Sequence, residues 1–124
     1  MYSITVTIGR NAPVTDPTRP QYDDVTGARI TEPMPDQRWR EFKSDAIHTM
    51  DNPALRGEQD ATIETAEGVG IWHGEVEANF KVTSLTNHAF TDEAVATLSR
   101  DLSELARLYD QDAIALTIGT STLC

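Results

Sequence analysis

The sequence predicts an α+β domain of the ferredoxin-like kind, a β-α-β-β-α-β sandwich whose antiparallel sheet carries two helices on one face. Three observations predict it. The chain opens and closes on segments that alternate apolar with small polar residues. Two amphipathic helical stretches flank a pair of strand-like segments in between. The order of these six elements is that of a split βαβ unit. At 124 residues the chain amounts to a single domain, 1–124. A chain of this size buries roughly two-thirds of its unfolded surface and needs neither disulfide nor metal to fold.

Residues 2–9 hold Tyr2, Ile4, Val6 and Ile8 on one side and Ser3, Thr5 and Thr7 on the other, a period-2 pattern rich in β-branched residues that ends at Gly9. Residues 10–35 carry five of the six prolines and read as a long proline-rich loop, with a small hairpin in Gln21–Thr31 turning near Thr26 and Gly27. Asp36 then suits the positive end of a helix dipole, and Trp39, Phe42, Ala46 and Met50 recur at helical spacing until Asn52-Pro53 stops the run. Residues 61–66 and 71–85 read as strands, with Gly68, Gly70 and Gly74 marking a turn or bulge. Thr91 is a helix N-cap ahead of Asp92 and Glu93, and Val95, Leu98, Leu102, Leu105 and Leu108 form one apolar stripe. Ile114, Leu116 and Ile118 alternate in the closing strand, ended by Gly119.

The right-handed crossover rule places both helices on one face of the sheet, with the first and last strands side by side in its centre. The opposite face then carries Ser3, Thr5, Thr7, Lys81, Thr83, Ala115 and Thr117. It is small and hydroxyl-rich, the kind of surface used for self-association or ligand binding.

Ten basic residues against twenty acidic ones give a formal charge of −10, which repels phosphate backbones and argues against direct nucleic-acid binding. The densest basic group, Arg38, Arg40 and Lys43, is diluted by Glu41 and Asp45 and reads as a solvated helix face. Cys124 is the only cysteine and excludes an internal disulfide. No stretch approaches the ~18 apolar residues of a membrane span, and the N-terminus has no secretory pattern, so a cytoplasmic protein is expected.

His73 lies in Val69-Gly-Ile-Trp-His-Gly-Glu75, the most unusual local sequence, with Glu75 and Glu77 nearby. It and His48 are the candidates for a general base. No HxH, HxxxH or HExxH spacing exists, so no metal is expected, and the GxGxxxG of residues 68–74 opens a strand rather than a helix, so no dinucleotide cofactor is expected. Asp23-Asp24 and Asp110 with Asp112 match no calcium loop and read as surface acids. No cofactor of any kind is implied. The candidates for ligand or partner binding are Tyr22, Arg19 and Arg29 in the proline-rich segment, Trp72 and His73, and Thr5 and Thr7 on the open sheet face.

Trp39 with Phe42, Gly70 with Trp72, Glu77 with Lys81, and Tyr109 with Gln111 follow one another as a W-x-x-F helix, a G-x-W strand, an E-x-x-x-K strand and a Y-x-Q helix end. In this the chain resembles a family of small ferredoxin-like proteins of actinobacteria and their phages, over about two-thirds of its length, while the segment 10–35 departs from the pattern. The resemblance supports the fold and supplies no catalytic residue.

The function expected from these readings is a non-enzymatic acidic binding or regulatory module. It would be homo-oligomeric, with a basic protein as a possible partner, and of the kind a phage uses to block a host factor. The alternatives are an enzyme of the dimeric ferredoxin-like type with a histidine base, and a small-molecule sponge or sensor.

Overall fold

The computed structural model describes residues 1–57, 60–72 and 74–120, with the side chains of all of these except Arg56 and Trp72. Strand β1, Tyr2–Gly9, buries Ile4, Val6 and Ile8 completely and leaves Ser3, Thr5 and Thr7 half-covered on its other side. The alternation is that of a strand with one dry face. Two short strands, β2 (Asn11–Pro13) and β3 (Thr31–Pro33), pair antiparallel beside the main sheet. Helix α1, Asp36–Met50, buries Trp39, Phe42, Ala46 and Met50. A one-turn helix α2, Pro53–Arg56, follows it directly.

The pair Asn52-Pro53 therefore starts a helix as well as ending one. Asn52 Oδ1 accepts the Ala54 N–H at 2.9 Å, and Pro53 occupies the first turn, where its missing N–H costs nothing.

Strands β4 (Thr62–Trp72) and β5 (Glu75–Thr86) form one long antiparallel pair from Thr62–Leu85 to Trp72–Glu75. The expected break near Gly68 and Gly70 does not occur: both glycines are ladder residues. A Cβ on Gly68 would come within 2.7 Å of Asn79 Oδ1, so the Asn79 side chain crosses the strand in the space that glycine leaves. Gly74, at φ +78°, supplies the turn. Helix α3, Asp92–Leu108, is capped by Thr91, whose hydroxyl accepts the Ala94 N–H at 3.1 Å, and β6, Ala115–Thr120, closes the chain.

The sheet order is β4-β5-β1-β6 with every neighbouring pair antiparallel. This is the ferredoxin-like arrangement that the order of elements implied. The first and last strands are neighbours, but the centre belongs to β1 and β5, and β6 is an edge strand. The β5 strand lies between β1 and β4, as a split crossover requires, and that displaces β6 outward.

One core cluster joins Ile4, Val6, Ile8, Phe80 and Val82 of the sheet to Trp39, Phe42, Ala46 and Met50 of α1 and Leu98, Leu102 and Leu105 of α3. Both long helices thus cover the same face. They are tied together by Tyr109, 4% exposed, whose ring stacks on Phe42 at 4.4 Å and whose hydroxyl donates to Asp45 Oδ2 at 2.5 Å.

Segment 10–35 is more ordered than its proline content implies. Beyond the β2–β3 pair the ribbon continues through Val14 N–H to Ile30 O (3.0 Å), Ile30 N–H to Gln21 O (2.9 Å) and a Tyr22–Arg29 bridge. It turns at Asp23–Ala28 with Gly27 at φ +72°, where the sequence places the hairpin turn. Among the described residues no helix is long and apolar enough to cross a membrane.

Candidate functional site

The sequence-derived candidates do not converge on one place. Thr5 and Thr7 project from the uncovered sheet face, where Thr5 Oγ1 and Thr83 Oγ1 share a hydrogen bond of 2.9 Å. The register places Ser3, Thr5 and Thr7 beside Leu85, Thr83 and Lys81 on one flank and beside Gly119, Thr117 and Ala115 on the other. No described helix crosses this face, and its small hydroxyl residues are those read from the sequence.

Asn79 and Glu77 continue the open face toward the hairpin. Glu77 Oε2 accepts the Asn11 N–H at 3.2 Å and lies over Gly9, which holds the carboxylate against the β1–β2 junction. Asn79 Oδ1 is buried without a hydrogen-bond partner among the described residues. An orphaned acceptor of this kind costs stability unless something donates to it.

Arg19 is engaged within the ribbon: its two terminal nitrogens donate to both Glu32 carboxylate oxygens at 2.8 and 2.6 Å. That fork holds the Glu32 carboxyl below its ordinary value and the Arg19 guanidinium above its own. Arg29 lies 5.5 Å from the Tyr22 ring centroid, so these two predicted contact residues face each other. Thr26 and Val25 backbone N–H groups donate to Asp23 Oδ1 at 2.9 and 2.8 Å and hold that carboxyl below its usual value. Asp23 thus shapes the turn through these two hydrogen bonds.

His48 is exposed on α1 and lines a groove of about 420 Å³ between α1 and α3 together with Asp45, Asp101, Glu104, Leu105 and the exposed Leu108. His73 lies outside the described residues, as does the Trp72 side chain. Among the described residues no group of three or more His, Cys, Asp or Glu side chains is placed to hold a metal ion.

Two surfaces were missed by the sequence reading. The first is the far end of the β4–β5 pair, which runs beyond the last β1 partner, Gly9–Asn79, as a two-stranded arm. The cross-strand pairs Val69–Ala78 and Ile71–Val76 lie on the helix side of the sheet, yet Val69, Ile71 and Val76 are 65, 74 and 65% exposed. At the base of the arm Lys43 of α1 reaches the sheet: its Nζ bonds Glu67 Oε1 at 2.7 Å and sits 5.6 Å from the Trp39 and Phe80 ring centroids. The alternation of Val76 with Ala78 and Phe80 was visible in the sequence. The length of the arm was not, because it depends on where the helices stop.

The second is a groove of about 480 Å³ between α3 and edge strand β6, lined by Leu102, Ala106, Ile114 and Leu116 with Arg107 and Asp112 at its rim.

The strand order and the one-sided helix layer define the chain as a ferredoxin-like α+β domain with an open sheet face and an uncovered hairpin arm. No family model and no curated protein matches it. Among solved structures it is similar to a phage SAM lyase in the apo state, at 16% identity and TM-score 0.47, over 95% of this chain and 78% of that one. A phage SAM lyase in complex with S-methyl-5′-thioadenosine is similar at 12% identity and TM-score 0.43, over 95% and 79%. The de novo designed protein Foldit4 is similar at 11% identity and TM-score 0.36, over 98% and 96%.

Proposed function

We propose that the chain is a non-catalytic binding module that works as a homo-oligomer. The observation that carries this reading is the apolar strip Val69, Ile71 and Val76, which stands clear of the helix layer at 65–74% exposure. Soluble proteins cover contiguous apolar strips of this kind with a partner. The open sheet face, uncharged along Ser3, Thr5, Thr7 and Thr117, adds a second surface suited to close contact.

A basic protein is the second partner. The groove between α1 and α3 supports it, because Asp45, Asp101 and Glu104 line it beside Leu105 and Leu108 and the chain as a whole carries −10. With the resemblance to small proteins of actinobacteria and their phages, this suits an accessory protein that occupies a basic host factor.

Native mass spectrometry of the purified protein tests the reading. A dimer or higher oligomer free of small molecules is the expected result. A monomer at every concentration overturns the homo-oligomer. Retained small-molecule mass favours a sponge, sensor or His48-based enzyme instead. S-methyl-5′-thioadenosine, the compound held in one of the phage structures, is the first small molecule to offer in a thermal-shift assay. Stabilisation that grows with the logarithm of its concentration counts against a module that serves protein partners alone.

A further inference from the structure

We infer that copies of this chain associate head to tail, the apolar face of the β4–β5 arm of one copy seating in the groove between α3 and β6 of the next. The inference rests on the homo-oligomer reading above and names its interface. The arm is exposed apolar surface, and the groove is an apolar cleft whose α3 side, Leu102 and Ala106, is buried and whose β6 side, Ile114 and Leu116, is half-buried. The arm offers Val69, Ile71 and Val76. The groove offers Leu102, Ala106, Ile114 and Leu116, and Ile118, on the same side of β6 as Leu116, is 56% exposed.

The topology brings these strips together. β4 and β6 are the two edges of the sheet, each with one row of backbone groups that no strand among the described residues pairs. The four strands alternate in direction, so β4 of a second copy meets β6 antiparallel while both helix layers stay on the same side. The register puts Val69 and Ile71 on the face shared with Phe80, and Leu116 and Ile118 on the face shared with Val6 and Ile4. Both are the helix face, and because Leu116 and Ile118 stand level with Thr65 and Ile63 across the sheet, the two apolar strips adjoin when β4 of the second copy is displaced along β6.

Charge separates this arrangement from a two-fold pairing of arm with arm. An antiparallel two-fold pairing of two β4 edges would bring Glu64 of each copy toward Glu67 of the other. The groove instead presents Arg107 and Asp112 side by side, one charge of each sign, and Arg107 has no ion-pair partner among the described residues. Arm on groove is a heterologous contact, since each copy uses two different surfaces.

Size-exclusion chromatography with light scattering on Ile71→Glu and Ile118→Lys tests the contact, circular dichroism having shown each variant folded. Wild type is expected to be oligomeric, each variant monomeric, and an equimolar mixture at least a 1:1 pair, because one intact arm then meets one intact groove. Val76→Lys and Arg107→Glu serve as the second arm and groove variants if either first choice fails to fold. Dissociation by only one side of the pair, or a mixture that stays monomeric, overturns the head-to-tail contact. An oligomer that survives both substitutions overturns it and leaves the homo-oligomer standing. A monomeric wild type removes both.

Discussion

Two β-ribbons leave the body of this domain, and they are fastened in opposite ways. The first, residues 11–33, is held by polar geometry along its length and by two apolar residues at its root, Val14 and Met34, 1% and 2% exposed. The Arg19–Glu32 fork and the Asp23 turn fix its outer part. Gln111 Nε2 donates to Asn11 O at 3.0 Å and clasps its base to the α3–β6 turn. The second, residues 68–79, continues the main sheet and touches the root of the first through Glu77 and Asn11, but it carries the apolar side chains Val69, Ile71 and Val76 largely exposed. A ribbon whose polar groups satisfy one another is complete in a single chain. A ribbon with a bare apolar strip is complete only against something else.

Truncating one apolar residue at the root of the first ribbon and one in the second gives the largest contrast. Met34→Ala should cost about 2–5 kcal/mol, because it removes a fully buried side chain from the core cluster. Ile71→Ala should change the unfolding free energy of the isolated chain by no more than about 0.5 kcal/mol, because the side chain is 74% exposed. Urea unfolding at low protein concentration measures both. A large loss for Ile71→Ala under those conditions would mean that the arm packs against its own chain.

The contrast between the ribbons was only half legible in the sequence. Alternation alone fixes which face of a strand Ile4, Val6, Phe80 and Val82 occupy, and the stripes Trp39–Met50 and Leu98–Leu105 fix the helices that cover them. Periodicity says nothing about where cover stops, so Val76 and Ile71 carry the same signal as buried Phe80. Gly68 and Gly70 looked like punctuation, since a sequence does not reveal that Asn79 lies across the strand. Prolines made residues 10–35 look like a loop, although Pro13 and Pro33 sit at the ends of a three-residue ladder, where strands tolerate them. The candidate contact residues fared similarly. Parity placed Thr5 and Thr7, whereas the Arg19–Glu32 fork joins residues thirteen positions apart, which only the hairpin register brings together.

The turn glycines provide a sharper comparison at smaller magnitude. Gly27 and Gly74 lie at φ +72° and +78°, and an added Cβ would meet nothing within 4 Å at either. Alanine therefore brings conformational strain alone, about 1–2 kcal/mol at each turn. In Gly27→Ala that strain should be relieved by local opening, seen as faster amide exchange at Asp23 and Ile30 with an unchanged unfolding midpoint. In Gly74→Ala it should lower the midpoint itself, because the β4–β5 ladder runs unbroken into the core. Equal behaviour of the two variants would erase the distinction between a clasped ribbon and a continuous one.

The smallest effect tests the clasp through pH. Burial, together with the hydrogen bond to the Asp45 carboxylate, pushes the Tyr109 phenol up to about 12 from its ordinary value near 10. The fold therefore favours the neutral phenol. Its contribution is complete below the unfolded value and is lost as pH rises from about 10 to about 12. Tyr109→Phe should cost about 1 kcal/mol at neutral pH and remove that part of the alkaline slope, measured by denaturant unfolding across the window. Tyr109 leads the turn whose Gln111 holds Asn11, so amides at the root of the first ribbon, Val14 and Met34, should exchange faster in the variant. Amides paired across Val69–Ala78 and Ile71–Val76 should not change, because the arm is anchored through β5 and not through the α3–β6 turn. Acceleration in both ribbons would mean that Tyr109 supports the whole helix layer and that the first ribbon has no clasp of its own.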